Sequence, residues 1–306
     1  MDETDITLCR LLQLDSRAPY HELAGRLGLS INAVHKRIRE LTDKGIIRAF
    51  RARPSLEASG AVTVWVYGRS EAADMDGVRA QLQGNDSTYW LSISGGGYVY
   101  VGGYLDDISE LTEYSEFVKA RAGITEPTIG IMPSMPKLPP TENLKPLDYE
   151  IIGRLNNDSR KALSEVAKEV GISSKTVRRR LDWMTEKRLI DLTIDWYPDE
   201  SNDIIALCHI MLLPDVDRGR FSLSLPERFG PHALFGIPFA NLPNQTIAFL
   251  WTNSMKQMDD LKEKIRGLAG VKSATLNVLQ IGYMFDTWRD REVSQTSTNR
   301  VKNTTS

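Results

Sequence analysis

One stretch of this chain is written twice, and that constrains its folding more than any other feature. With Asp5 laid over Asp148 and the alignment run without gaps to Ile47 over Ile190, about 14 of roughly 43 positions are identical. Both copies carry Asp-Ser-Arg, at Asp15–Arg17 and Asp158–Arg160, and both carry a Gly-apolar-Ser step, at Gly28–Ser30 and Gly171–Ser173. A fold for this sequence must place the same unit at both sites. The 306 residues amount to about two domain lengths, so the duplication accounts for the whole chain.

The repeated unit reads as three short helices. In copy 1, Ile6, Leu8, Leu11 and Leu12 recur at near-helical spacing, then Leu23, Ala24 and Leu27, then Val34, Ile38 and Leu41. Copy 2 repeats the design with Val166, Ala167 and Val170, then Val177, Leu181 and Met184. Gly28 and Gly171 stand where a helix must stop and turn, where a residue without Cβ is least strained. Ser30 and Ser173 follow at N-cap distance. Two helices joined at such a turn make a helix-turn-helix. The β-rich stretches after them, Ile46–Arg53 and Leu189–Tyr197, suit a wing hairpin in each copy.

Beyond the repeat the pattern changes period. Ala61–Arg69 is β-branched and aromatic, Met75–Gln83 is helical, and Thr88–Ser94 and Tyr98–Tyr104 flank a turn at Gly95–Gly97. Ile108–Ala122 is helical and Thr128–Met132 is a closing strand, which gives the order β-α-β-β-α-β. Copy 2 offers the same order less clearly, with strands Ile204–Leu213, Ala233–Phe239, Thr246–Thr252 and Lys272–Tyr283 and a second helix at Met255–Leu268. The expected class is α+β: two winged helix-turn-helix domains (1–57 and 147–200) and two ferredoxin-like βαββαβ domains (58–133 and 201–288) in tandem. A linker with five prolines within 133–146 separates the copies, assigned as 134–146, and a polar tail, 289–306, is expected to be disordered.

Composition narrows the function classes. The chain is 41% apolar and 25% charged, as ordinary globular domains are, and no apolar run reaches the ~18 residues of a bilayer span. The acidic start MDETDITL lacks the apolar core of a signal peptide, and two cysteines, Cys9 and Cys208, make neither a disulfide framework nor a zinc cluster. The expectation is a cytoplasmic protein without metal or cofactor. The histidines at 21, 35, 209 and 232 lack metal spacing, and His209 in its apolar run reads as a satisfied core histidine. No phosphate-binding loop occurs, so the chain is not expected to be an enzyme.

A net charge of −2 argues against indiscriminate nucleic-acid binding, but charge is not evenly spread. Between Gly28 and Arg53 there are about seven Lys or Arg against two acids. If Val34, Ile38 and Leu41 face the core, then Asn32, His35, Lys36 and Arg39 face outward. Copy 2 turns out Lys175, Arg178 and Arg179, among four cations and no acid between Ser173 and Leu181. Such side chains suit the major groove, where Asn reads adenine and Arg reads guanine. Asn32, Arg178 and Arg179 are therefore candidate base readers, and Lys36, Lys175 and Arg39 candidate phosphate ligands. Arg37 and Arg180 instead read as residues that pack their stems on the domain and pair with carboxylates of their own helix. The wings differ in sign. Copy 1 has Arg48, Arg51 and Arg53, and copy 2 has Asp191, Asp195, Asp199 and Glu200, so Arg48 and Arg51 join the DNA-binding set and the copy 2 wing does not. The competing interpretation is a winged helix that binds protein.

A helix-turn-helix carrying DSR, EL-A, GLS and G-I-I, followed by β-α-β-β-α-β, resembles the Lrp/AsnC (feast/famine) family of transcription regulators. The resemblance covers Asp2–Met132 in copy 1 and is firm over Leu147–Leu192 in copy 2. It implies a DNA-binding head on a sensing and oligomerising domain of the RAM type, whose sheets pack face to face and hold small molecules, often amino acids, between them. It implies double-stranded DNA as partner, a small-molecule effector near Ser94, Gly95, Gly97 and Tyr98, and homo-oligomers. Ser94–Tyr98 keeps the family's glycine turn but lacks the aspartate that follows it, and copy 2 has Ala240-Asn241-Leu242-Pro243-Asn244 there. Pro19 and Ala162 stand where the family favours a Ser or Thr cap. A branch of the family consists of haem-pathway decarboxylases, whose histidine-aromatic and Trp-Phe strands this sequence lacks. Two heads in one chain imply a covalent pseudo-dimer.

Overall fold

Helix α1 (Glu3–Leu14) is followed by α2 (Tyr20–Leu27) and α3 (Ile31–Asp43), and in copy 2 α7 (Pro146–Leu155), α8 (Leu163–Val170) and α9 (Ser174–Glu186) repeat the order. Their ends follow local chemistry. Gly28 and Gly171 adopt left-handed φ of 65° and 77° and close α2 and α8. Ser30 and Ser173 accept the N–H of Ala33 and Thr176 at 3.2 and 3.1 Å, capping α3 and α9. Pro19 and Ala162 begin α2 and α8 with no side-chain cap, and Pro146 opens α7, where its missing N–H is not needed. The computed structural model describes residues 1–133 and 143–293, so the expected linker 134–146 lies outside them except for its last four residues.

The chain is α+β and divides into two units that do not follow the copies. The head unit contains Leu8–Ala61 with the described parts of 134–196 and 286–306, and the sheet unit contains Met1–Thr7, Val62–Pro133 and Tyr197–Phe285. In the head unit, β1 (Ile47–Pro54) pairs antiparallel with β6 (Ile190–Trp196), with Arg51 opposite Thr193 and Arg53 opposite Asp191. The expected wing hairpin of each copy is thus one strand, completed by the strand of the other copy. Copy 2's apolar helical faces pack around Ile151, Ile152, Val166, Val177, Leu181 and Met184, with Ala52 of copy 1 among them. Residues 288–293 are helical, and Val293, at 1% exposure, joins this core, so the polar tail expected from 289 starts after 293 at the earliest.

The head unit also contains the short helix α4 (Leu56–Ser59). The sheet unit then follows as β2 (Val62–Arg69), α5 (Met75–Gln83), β3 (Thr88–Ser94), β4 (Tyr98–Leu105), α6 (Leu111–Ala122) and β5 (Thr128–Ile131). Copy 2 supplies β7 (Ile204–Leu212), α10 (Arg218–Phe229), β8 (Ala233–Pro238), β9 (Gln245–Thr252), α11 (Met255–Arg266) and β10 (Val271–Met284). Each copy orders its strands as the ferredoxin-like fold does, and β3 pairs with β10, giving one eight-stranded sheet, β5-β2-β4-β3-β10-β7-β9-β8. One face of each half carries its own helices over an apolar core. The other faces meet through aromatic rings: Trp65 lies 5.9 Å from Phe249 and 6.1 Å from Phe239, and Tyr67 lies 5.5 Å from His209. The alternation of a half-buried strand places both sets of residues.

Candidate nucleic-acid interface

Val34, Ile38 and Leu41 are buried along one side of α3, which turns Asn32, His35, Lys36 and Arg39 to solvent. Lys36 faces Glu40 at 3.7 Å one turn on, an exposed pair that contributes only a few tenths of a kcal/mol and leaves the ammonium available to phosphate. The His35 ring stacks on Tyr20 of α2 with centroids 3.5 Å apart. On α9 the buried side is Val177, Leu181 and Met184, and Lys175, Arg178 and Arg179 are exposed. These three line an open hollow with Thr176, Asp182, Trp183 and Glu186. Each helix therefore carries its candidate residues on one accessible face.

Arg180, next to them in sequence, points inward and pairs with a carboxylate of α7, not with one of its own helix as expected. Its Nε and Nη2 donate to Oδ1 and Oδ2 of Asp148 at 2.7 and 2.5 Å, and its guanidinium lies 4.1 Å from the Trp183 ring. Asp148 is fully buried and also accepts the N–H of Lys145, which caps α7.

Arg51 must be removed from the DNA-binding set. Its side chain is 15% exposed, its Nε donates to Asp195 Oδ2 at 2.5 Å, and its Nη1 donates to Asn157 Oδ1 at 2.6 Å. Arg53 pairs with Asp195 and, at 2.7 Å, with Asp290. Burial raises the Asp290 carboxyl, but the Arg53 charge and hydrogen bond outweigh it and hold it below the ordinary range. Asp191 pairs with Arg289, which is 4% exposed. The opposite signs of the two β-stretches are thus complementary partners across one strand pair. Of the two basic residues expected to reach DNA from this stretch, Arg48 is exposed and Arg51 is not.

In the sheet unit, Ser94, Gly95, Gly97 and Tyr98 come together in the β3–β4 turn, where Gly96 and Gly97 both take φ of 73°. Ser94 is fully buried, and its Oγ has no hydrogen-bond partner among the described residues. The corresponding turn of copy 2 has another use: Asn241 accepts the N–H of Ile131 and donates to the carbonyl of Ile129, both at 2.8 Å, which satisfies the free edge of β5.

Between the facing half-sheets lies a polar cluster that sequence reasoning missed, apart from His209 taken singly. Tyr100 Oη is 2.5 Å from His209 Nε2 and accepts from Asn277 at 2.6 Å, and Gln245 donates to Tyr67 Oη at 3.0 Å. These residues sit on five different strands, so no spacing in the sequence could have joined them. Burial raises the phenols of Tyr67 and Tyr100 and pushes the His209 imidazole down to about 4. The unfolded imidazole titrates near 6.5, so the fold excludes a proton that the unfolded chain binds. The stability this group supplies is complete above pH 6.5 and is lost as the pH falls toward 4, by about 3 kcal/mol over the full span. Urea midpoints measured across that range are expected to fall more steeply for the parent than for His209→Gln. Parallel profiles would contradict a buried neutral histidine.

Among the described residues, no three His, Cys, Asp or Glu side chains gather as a metal site, and no helix is long and apolar enough to cross a membrane.

The AsnC-type helix-turn-helix domain family matches residues 1–42 and again residues 146–185. The regulator LrpA of Mycobacterium tuberculosis is 43% identical over 60 residues, which is 20% of this chain and 40% of that protein. LrpA of Pyrococcus horikoshii is 37% identical over 68 residues, 22% of this chain and 48% of that protein. The match thus spans less than half the length of these curated relatives. Over its full length the chain shares its fold with the siroheme decarboxylase NirDL, at TM-score 0.58, 12% identity, and coverage of 97% and 99% of the two chains. NirDL bound to an iron-uroporphyrin III analogue matches at TM-score 0.59. The chain thus carries two AsnC-type helix-turn-helix domains, one at the start of each copy.

Proposed function

We propose that this protein is a sequence-specific DNA-binding transcription regulator of the Lrp/AsnC type. Its α3 and α9 enter successive major grooves as the two readers of a covalent pseudo-dimer. The observation that carries this reading is the pair of capped, basic helices whose candidate residues are solvent-exposed on one face. In it, Asn32, Arg178 and Arg179 read bases, Lys36, Arg39, Lys175 and Arg48 hold phosphates, and His35 extends the contact face. Because the two helices differ, the preferred operator is asymmetric, unless a homo-oligomer restores a palindrome. A small metabolite bound at the Ser94–Tyr98 turn modulates the regulator, and the orphaned Ser94 hydroxyl supports that location. The setting is cytoplasmic, and the activity is binding, not catalysis.

The test is titration of duplex DNA with the parent chain and with Arg178→Ala/Arg179→Ala across a range of salt. The double variant is expected to bind more weakly and to lose up to ~2 phosphate-equivalents of salt slope if both side chains lie on the backbone. An unchanged slope together with unchanged affinity would remove copy 2 as a reader. If the chain shifts no DNA and instead gains the absorption of added tetrapyrrole, the reading moves to the enzymatic class of its structural neighbour.

A further inference from the structure

The Asp-Ser-Arg step that marks both copies lies on neither recognition helix, yet its two occurrences meet inside the head unit. Each aspartate shapes its own turn: Asp15 Oδ1 accepts the N–H of Arg17 at 2.8 Å, and Asp158 Oδ1 accepts that of Arg160 at 3.0 Å. Both serines are fully buried, with their hydroxyls 2.6 Å apart. The arginines then cross over. Arg160 donates to the carbonyls of Ser16 and Ala18 at 2.6 and 2.9 Å, while Arg17 donates to those of Ser159 and, at 3.2 Å, Lys161. Under the alignment of Asp5 with Asp148, Ser16 corresponds to Ser159 and Ala18 to Lys161. Each arginine therefore grips the same two positions of the other copy, which is an isologous contact within one chain. Backbone bonds from Ser16 N–H to Leu192 and from Ser159 N–H to Phe50 add to it.

A guanidinium presents its donors in a rigid plane, so two carbonyls held by one arginine define an angle as well as a distance. The clasp also touches a recognition helix: the Arg160 guanidinium lies 4.3 Å from the Tyr20 ring, which stacks on His35 of α3. The geometry points to Arg17 and Arg160 as paired positioning residues that set the separation and angle of α3 and α9, and so the half-site spacing the chain accepts on duplex DNA. Half-site spacing follows from the geometry of the two reading helices, because the major groove returns to one face only once per helical turn. The DNA consequence rests on the DNA-binding reading above, whereas the clasp can be measured without DNA.

Spin labels at Thr42→Cys and Thr185→Cys, exposed positions that correspond between α3 and α9, report the distance between the helices by pulsed electron resonance. One narrow distance is expected in the Arg17/Arg160 parent and a broad distribution in Arg17→Ala/Arg160→Ala. Arg17→Lys/Arg160→Lys should fall between them, since lysine supplies charge without the fork. The lysine pair also serves as the test should the alanine pair fail to fold. The second arm uses duplexes that the parent selects from a random pool, respaced by about 5 bp, half a helical turn. The parent should prefer its own spacing by on the order of tenfold, the size of one mismatched base pair, and the alanine pair should bind both spacings equally. An equally narrow distance in the variants would overturn the clasp. A broadened distance with intact spacing preference would overturn its effect on DNA. If the parent binds no duplex, the DNA reading fails, and the distance measurement alone decides the clasp.

Discussion

Phe239→Ala is expected to destabilise the sheet unit by about 3–5 kcal/mol, the range for deleting a fully buried aromatic ring. Phe239 has no exposed surface and lies 6.1 Å from both Trp65 and Tyr67, rings of the other copy. It occupies space that only a glycine leaves open, because a Cβ built on Gly130 of β5 would overlap the Phe239 ring. Gly130→Ala should therefore cost about 1–3 kcal/mol by overpacking. In the double variant the added methyl enters the space the ring has left. The two costs should then fall short of their sum by about 1 kcal/mol or more, as neighbouring residues that share one cavity do. Urea unfolding of the full chain, followed through the tryptophans, measures all three. Strict additivity, or a loss below about 1 kcal/mol for Phe239→Ala, would mean that the facing half-sheets do not form one packed core.

The second large effect is expected in the head unit. Arg180→Ala removes the only charge paired with Asp148 among the ion pairs of the described residues, and leaves a carboxylate with 0% side-chain exposure. Removing one partner of a buried pair costs about 3–5 kcal/mol, because the remaining charge keeps its desolvation penalty without the attraction that offset it. Arg179→Ala, one position earlier, removes an exposed side chain and should change stability by less than about 0.5 kcal/mol. Thermal melts of the two variants therefore separate neighbouring arginines with opposite duties: Arg180 holds α9 on α7, and Arg179 faces solvent. Equal melting shifts would refute that division. Lysine at 180 should recover only part of the loss, since it cannot make both bonds at 2.7 and 2.5 Å in one plane.

The readable parts of the sequence were the local ones. The faces of α3 and α9 follow from 3.6-residue periodicity, and their caps from a serine two residues after a glycine, so Asn32, Lys36, Lys175 and Arg179 could be assigned to the exposed side without coordinates. Helix α10 was not readable in the same way. Its sequence RGRFSLSLPERF carries Pro226 in its interior and little propensity, and it forms around Phe221, Ser222 and Leu225, which are buried by the sheet unit's packing, with Asp217 as its cap. Arg51 shows the limit most plainly. In sequence it is the middle one of three cations, Arg48, Arg51 and Arg53, with no acid between them, and only the pairing of β1 with β6 brings Asp195 to it.

Sequence alone determined that one module is written twice, what class each half belongs to, and which side of each recognition helix is free. Those properties depend on neighbours within a few residues, and the repeat preserves them position by position. The tertiary structure decided what each duplicated part is for. It joined head to head and sheet to sheet across the copies, matched a basic strand with an acidic one, and turned two Asp-Ser-Arg steps into a reciprocal clasp. Those outcomes depend on contacts between residues more than 100 positions apart, which a linear pattern does not encode until the chain has closed on itself.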